Sequence, residues 1–209
     1  MFLLSDKLIF PPIEHAHDDG LLCIGGDLSS TRLLMAYQKG IFPWYSEGEP
    51  ILWYSPDPRF VLFPEKIKVS KSMKQVIKKG EFVFKINQRF EDVIHHCRIQ
   101  ERKGQDGTWI TDEMEQAYTR LHELGFVHSF ECYAKGELVG GLYGVLLDRV
   151  FCGESMFSLQ PNASKLVFIQ LCKYLQERNI AIIDCQVYTS HLESLGAEMI
   201  SRAEFQNYL

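Results

Sequence analysis

The segment IAIIDCQV, Ile180 to Val187, limits the fold more than any other part of the chain. Almost all of it is apolar, so a strand made from it must be covered on both faces, which places it in the interior of a sheet. Its only polar residues are Asp184 and Gln186. Residues two apart on a strand project to the same face, so these two look out together near its C-terminal end while Cys185 looks away. Upstream, NASKLVFIQLCKYLQERN (Asn162 to Asn179) reads as a helix capped by Asn162 or Ser164. Before it, HSFECYA, a Lys135-Gly136 turn, ELVGGLYGVLLD and RVFCGES read as an antiparallel meander. Helix, strands, helix and strand over the second half of the chain is an α+β order.

A second polar point closes the meander, in FCGESMFS, Phe151 to Ser158. The apolar run through Val150, Phe151 and Cys152 predicts a strand end, and Gly153 predicts a close backbone approach that a Cβ would block. Glu154 and Ser155 follow, then Met156 and Phe157. An acid wedged between apolar residues needs a partner or a task, and a buried carboxylate satisfied by backbone amides fits as well as a catalytic one. If this strand neighbours Ile180 to Val187, then Glu154, Asp184, the Gln186 amide and the Ser155 hydroxyl converge. Two acids and an amide with no Cys or His beside them fit activation of an external nucleophile better than covalent catalysis. The chain has no G-x-S-x-G elbow and no metal-ligand spacing, since His95 and His96 lack further ligands at i+3 or i+4. The Q/R-x-x-G-x-G/A grip on a coenzyme A pyrophosphate is also missing before Asn162.

The first half is less regular. Ser29 or Ser30 can cap a helix over Thr31 to Lys39 that Gly40 ends. GIFPWYSEGEPILWYSPDPR, Gly40 to Arg59, is dense in prolines and rings, which predicts a stiff loop. Trp44, Trp53 and Tyr54 there either offer stacking surfaces to a ring-bearing ligand or anchor the loop to the body. Between Ser70 and Gly80 a short helix carries Lys71, Lys74, Lys78 and Lys79, with no acid from Lys66 to Gly80. That face suits phosphate contacts, or it is simply solvated. Asn87 can cap a helix over Gln88 to Ile99; a polar loop, Glu101 to Thr111, carries Trp109; Thr111 caps a helix over Asp112 to Leu124. The expected organisation is an N-terminal subdomain over 1–100 and a catalytic domain over 101–209.

The net charge of −5 argues against a protein that coats nucleic acid through bulk positive charge, while leaving a local basic patch open. Six cysteines without a C-x-x-C pair, no apolar run of about 18 residues and no signal-peptide pattern predict a reduced, metal-free, cytoplasmic protein.

PWYSEGEPILWYSPDPR, GTWIT, LHELG, VGGLYGV, FCGESMFS, NASK and IDCQV, in this order, resemble the leucyl/phenylalanyl-tRNA–protein transferase family from about Gly20 to Leu209. The resemblance implies transfer of Leu or Phe, less readily Met, from aminoacyl-tRNA to the α-amine of proteins beginning with Arg or Lys. It marks them for N-end-rule degradation. It implies a monomer without cofactor or metal, and an acetyltransferase-type (GNAT) catalytic domain, a mixed sheet flanked by helices, behind a small α/β subdomain. It also implies roles. Asp184 and Gln186 draw a proton from the acceptor amine, and Glu154 orients the ester or acceptor. Met156, Leu142, Phe168 and Leu171 form the aminoacyl pocket. Trp44, Trp109 and Tyr118 hold the terminal adenosine, and Lys71, Lys74, Lys78 and Lys79 contact the tRNA backbone. Leu142 stands where several members carry Met, and Gln75 replaces a base often found in the patch. Three other readings share these features: transfer to N-terminal Asp or Glu, transfer to a murein precursor, and a tRNA-binding module without catalysis.

Overall fold

A computed structural model describes residues 2–100 and 108–209, so most of the expected polar loop before Trp109 lies outside the described residues. The first four strands form a small sheet: β1 (Phe2–Leu4), β2 (Leu21–Gly25), β3 (Phe42–Pro43) and β4 (Leu52–Tyr54), in the order β1-β2-β4-β3. Helix α1 (Ser30–Gln38) begins where expected, with the Ser29 side chain accepting from the Arg32 N–H. The proline-rich stretch is more regular than its composition predicts, because β3 and β4 pair within it. Its rings divide in function: Trp53 is fully buried and donates its indole N–H to the Gly25 carbonyl at 2.8 Å, whereas Trp44 is left 37% exposed.

The remaining strands form a seven-stranded sheet. In chain order the elements are β5 (Arg59–Leu62), α2 (Lys71–Lys79), β6 (Phe82–Ile86), α3 (Phe90–Ile99), α4 (Asp112–Glu123), β7 (Val127–Ala134), β8 (Glu137–Leu146), β9 (Val150–Ser158), α5 (Ala163–Glu177), β10 (Ile182–Gln186), α6 (Ser190–Ser194), β11 (Glu198–Ile200) and α7 (Arg202–Gln206). The strand order is β11-β5-β10-β9-β8-β7-β6. β7, β8 and β9 make the expected meander. β10 lies inside the sheet, antiparallel to β5 and parallel to β9. Parallel neighbours need a crossover, and α5 supplies it. β5 and β6, expected within the N-terminal 1–100 subdomain, belong to the larger sheet, and the two sheets separate between Tyr54 and Arg59. Pairing between distant strands leaves no periodic trace in a sequence.

Two apolar clusters cover the larger sheet. One holds residues of α1, α3 and α4, including Tyr37, Val93, Ile94, Met114, Ala117 and Tyr118. The other holds α5 residues such as Val167, Phe168 and Leu171, together with Met73, Val76 and Ile77 of α2. The glycines of VGGLYGV permit this packing. A Cβ on Gly140 would lie 2.7 Å from the Ala163 Cβ, and one on Gly144 would lie 2.2 Å from the Cys152 carbonyl oxygen. Ser70 and Gly80 bound α2 as expected, the Ser70 side chain accepting from the Met73 N–H and Gly80 adopting a φ of 68°. Two expected caps differ. Asn162 precedes α5 with a φ of 72° and no side-chain cap bond. Asn87 accepts from the Ser129 N–H instead, and α3 starts at Phe90, behind Gln88 and Arg89, whose N–H groups donate to Glu131. No helix among the described residues is long and apolar enough to cross a membrane.

Candidate active site

The site begins where two strands part. β9 and β10 pair as far as Asp184 with Cys152, but β9 continues to Ser158. Beyond that point lies a pocket of ≈ 300 Å³, lined from β9 by Glu154 and Met156 and from β10 by Asp184 and Gln186. A bulge in each strand aims these side chains. Tyr143 pairs with Ser155 and Gly144 with Gly153, so Glu154 is the extra residue on β9. Asp184 pairs with Val61 and Gln186 with Phe60, which leaves Cys185 extra on β10, and Gln186 takes a φ of 64°. A bulge bends its strand and redirects the side chains beside it. Two expectations change here. The strand does not end before Glu154 but carries it mid-strand, and Gly153 has room for a Cβ, whose nearest neighbour would be the Asp184 carbonyl oxygen at 3.6 Å.

The polar groups form one network. Gln186 Nε2 donates to Glu154 Oε1 at 2.9 Å, and the Tyr118 hydroxyl donates to Glu154 Oε2 at 2.9 Å. Behind it, the Tyr37 hydroxyl is hydrogen-bonded to that of Tyr118. Arg59 grips Asp184 in a fork, Nε to Oδ1 at 2.8 Å and Nη2 to Oδ2 at 2.7 Å, and the Gln186 N–H donates to the same Oδ1 at 2.9 Å. The Arg59 guanidinium lies 4.7 Å from the Phe42 ring centre and 4.9 Å from that of Phe205. Burial pushes the Glu154 carboxyl up to about 7 despite the hydroxyl and amide donors that pull it down. A carboxylate titrating there is matched to proton transfer at neutral pH.

The structure brings most of the expected residues together. Leu142, Met156, Phe168 and Leu171 line the pocket beside Glu154, Asp184 and Gln186, and Trp44 and Trp109 line it as well. Tyr118, expected at the terminal adenosine, is fully buried and donates to Glu154. Both Asp184 oxygens receive hydrogen bonds, from the Arg59 fork and the Gln186 N–H. Lys71, Lys74, Lys78 and Lys79 are all exposed on α2, with no ion pair among the described residues. Sequence reasoning passed over Arg59 and Tyr37. A lone arginine leading into the apolar run RFVLF was the one available sign of a buried charge.

Comparison with known proteins covers the whole chain. Residues 61–209 match the family model described as leucyl/phenylalanyl-tRNA protein transferase, and residues 26–57 match the N-terminal domain of the same family. The break between these matches falls where the small sheet gives way to β5. A leucyl/phenylalanyl-tRNA–protein transferase of Christiangramia forsetii is 53% identical, covering 100% of both chains. One of Chromobacterium violaceum is 51% identical over 97% of this chain and 87% of its own. Among solved structures, a GCN5-related N-acetyltransferase-like protein of Streptococcus suis is 13% identical with a TM-score of 0.41, over 78% of this chain and 60% of that one.

Proposed function

Because the chain belongs to the leucyl/phenylalanyl-tRNA–protein transferase family, we propose that this aminoacyltransferase moves Leu or Phe, less readily Met, from aminoacyl-tRNA to proteins beginning with Arg or Lys. It does so as a cytoplasmic monomer and feeds N-end-rule degradation. One observation carries the reading: a single cleft joins an apolar wall to a carboxylate tuned to about 7.

The amino-acid side chain enters the wall of Leu142, Met156, Phe168 and Leu171. Such a wall rejects polar side chains through desolvation but separates apolar ones by only about 1–3 kcal/mol per methylene. Trp44 and Trp109 present rings at the same pocket, where the terminal adenosine stacks. The acceptor α-amine has a pKa of about 8 and attacks only when neutral. Glu154 takes its proton as nitrogen bonds to the ester carbonyl carbon. The carbon–oxygen bond to the ribose then breaks, and Glu154 returns the proton to the departing oxygen. The ester is already activated, so neither ATP nor a covalent enzyme intermediate is required. Gln186 fixes the Glu154 carboxylate, and Asp184, neutralised by Arg59, fixes Gln186.

Radiolabelled Leu-tRNA offered with peptides headed by Arg, Lys, Asp or Glu tests this. Label is expected on the Arg and Lys peptides. Label on Asp or Glu alone overturns the acceptor assignment, and label on none overturns the reaction.

The lysines of α2 supply a second test. Changing Lys71 and Lys74 to Ala is expected to weaken tRNA binding and lower the slope of log affinity against log salt by about 1–2. Filter binding across a salt series reads it, and an unchanged slope returns the helix to a solvated face.

A further inference from the structure

We infer that Tyr118 and Tyr37 are positioning residues that hold Glu154 as the ionised, proton-accepting carboxylate, so the base of the catalytic sheet is set partly from helix α1. The inference rests on the reading of Glu154 as that base.

It follows from counting hydrogens. Glu154 receives Gln186 Nε2 on one oxygen and the Tyr118 hydroxyl on the other. Tyr118 has one hydroxyl hydrogen, already given to Glu154, so Tyr37 must donate in the bond between the two hydroxyls. All three donors therefore point toward the carboxylate. A proton arriving on Oε2 turns the row around: Glu154 donates to Tyr118, and Tyr118 to Tyr37. The Tyr37 hydroxyl also approaches Glu154 itself, and a protonated carboxyl is a poorer acceptor for its hydrogen than the carboxylate. Weakening two buried hydroxyl donors at once is costly, so the pair resists protonation of Glu154 and speeds return of the proton to the leaving oxygen.

The surroundings leave this task to the tyrosines. Cys152 on β9 and Tyr143 on β8 also face the group, and burial pushes the Cys152 thiol well up, leaving it neutral. Asp184 on β10 opposes a second negative charge, but Arg59 on β5 neutralises it across the fork. Burial pushes the Tyr37 and Tyr118 hydroxyls well above their usual value, so both stay protonated donors.

The test is the pH profile of kcat/KM for transfer from Leu-tRNA to an Arg-headed peptide. Full-length wild type is compared with Tyr118→Phe and Tyr37→Phe. The acceptor amine titrates identically in all three, so any difference belongs to the enzyme. Tyr118→Phe and Tyr37→Phe are each expected to move the enzyme's acid-side pKa up by about one unit, with KM for tRNA little changed. A uniform fall at every pH, without a shift, makes the pair merely structural and overturns the inference. A raised KM for tRNA without a shift also overturns it and makes Tyr118 an adenosine contact. If either variant fails to fold, a fluorotyrosine at position 118, a stronger donor, is expected to move the pKa down, and no movement overturns the inference. Glu154→Gln separates the two levels: full activity there removes the base itself, whatever the tyrosine variants do.

Discussion

Glu154→Gln is expected to lower kcat/KM by about 10²–10⁴-fold at neutral pH while tRNA affinity stays within about twofold. The glutamine keeps the volume and its oxygen can still accept from Gln186, but its NH2 stands where Oε2 accepted from Tyr118, so the proton site and that one accepted bond are lost. The stability change carries the opposite sign. The Glu154 carboxyl titrates at about 7 when folded, against about 4.3 in an unfolded chain. A raised folded pKa means that the native state holds the proton more tightly. The favourable contribution is complete below about 4.3 and is lost as pH rises through 7. Glutamine has no such loss, so the variant gains on wild type as pH climbs from 4.5 to 7 and keeps the advantage above it. Transfer assays and thermal melts at pH 5, 7 and 8 read both quantities. A variant that loses activity and is equally destabilised at every pH would place Glu154 in the framework and not in the chemistry.

This opposition between activity and stability explains why the site was only half legible. A carboxylate beside apolar residues violates ordinary patterning, so Glu154 and Asp184 stood out in the sequence, whereas the wall of Met156, Phe168 and Leu171 came only from the family resemblance. α2 was equally plain, since Ser70, Gly80 and the lysine spacing are local signals. What stayed hidden was long-range. Arg59 and Asp184 are 125 residues apart and meet only because β5 slots beside β10. Tyr37 and Tyr118 are 81 apart and meet only because α1 packs against α4. Neither pairing changes any local period, so neither could be read in advance. The two bulges are equally silent, yet they aim Glu154 and Gln186 into one cleft. Trp53 shows the converse: three aromatic residues in one proline-rich stretch looked alike, and tertiary packing alone made Trp53 an anchor while Trp44 stayed open to the pocket.

Arg59→Met is expected to be the most destabilising single change at the site. It strands the Asp184 carboxylate, which is fully buried, and an uncompensated buried charge costs about 3–5 kcal/mol. Against a total stability of about 5–15 kcal/mol that is a large fraction, and Tm should fall by roughly 10 °C in a chain of this size. Arg59→Lys restores charge but neither the two-pronged grip nor the flat surface stacked between Phe42 and Phe205, so it should recover only part of the loss. The double change Arg59→Met with Asp184→Leu separates the pair's contribution to stability from its role in the site. Replacing a buried ion pair with apolar residues of similar volume is often neutral or stabilising, so Tm should return to within a few degrees of wild type. Activity should not return, because the Gln186 N–H then loses Oδ1 of Asp184 and nothing holds that residue at its positive φ beneath Glu154. A double variant as unstable as Arg59→Met would mean that the arginine matters for its packing between the two rings. A double variant that is both stable and active would mean that Gln186 holds its place without Asp184, leaving the ion pair as a structural clamp between β5 and β10.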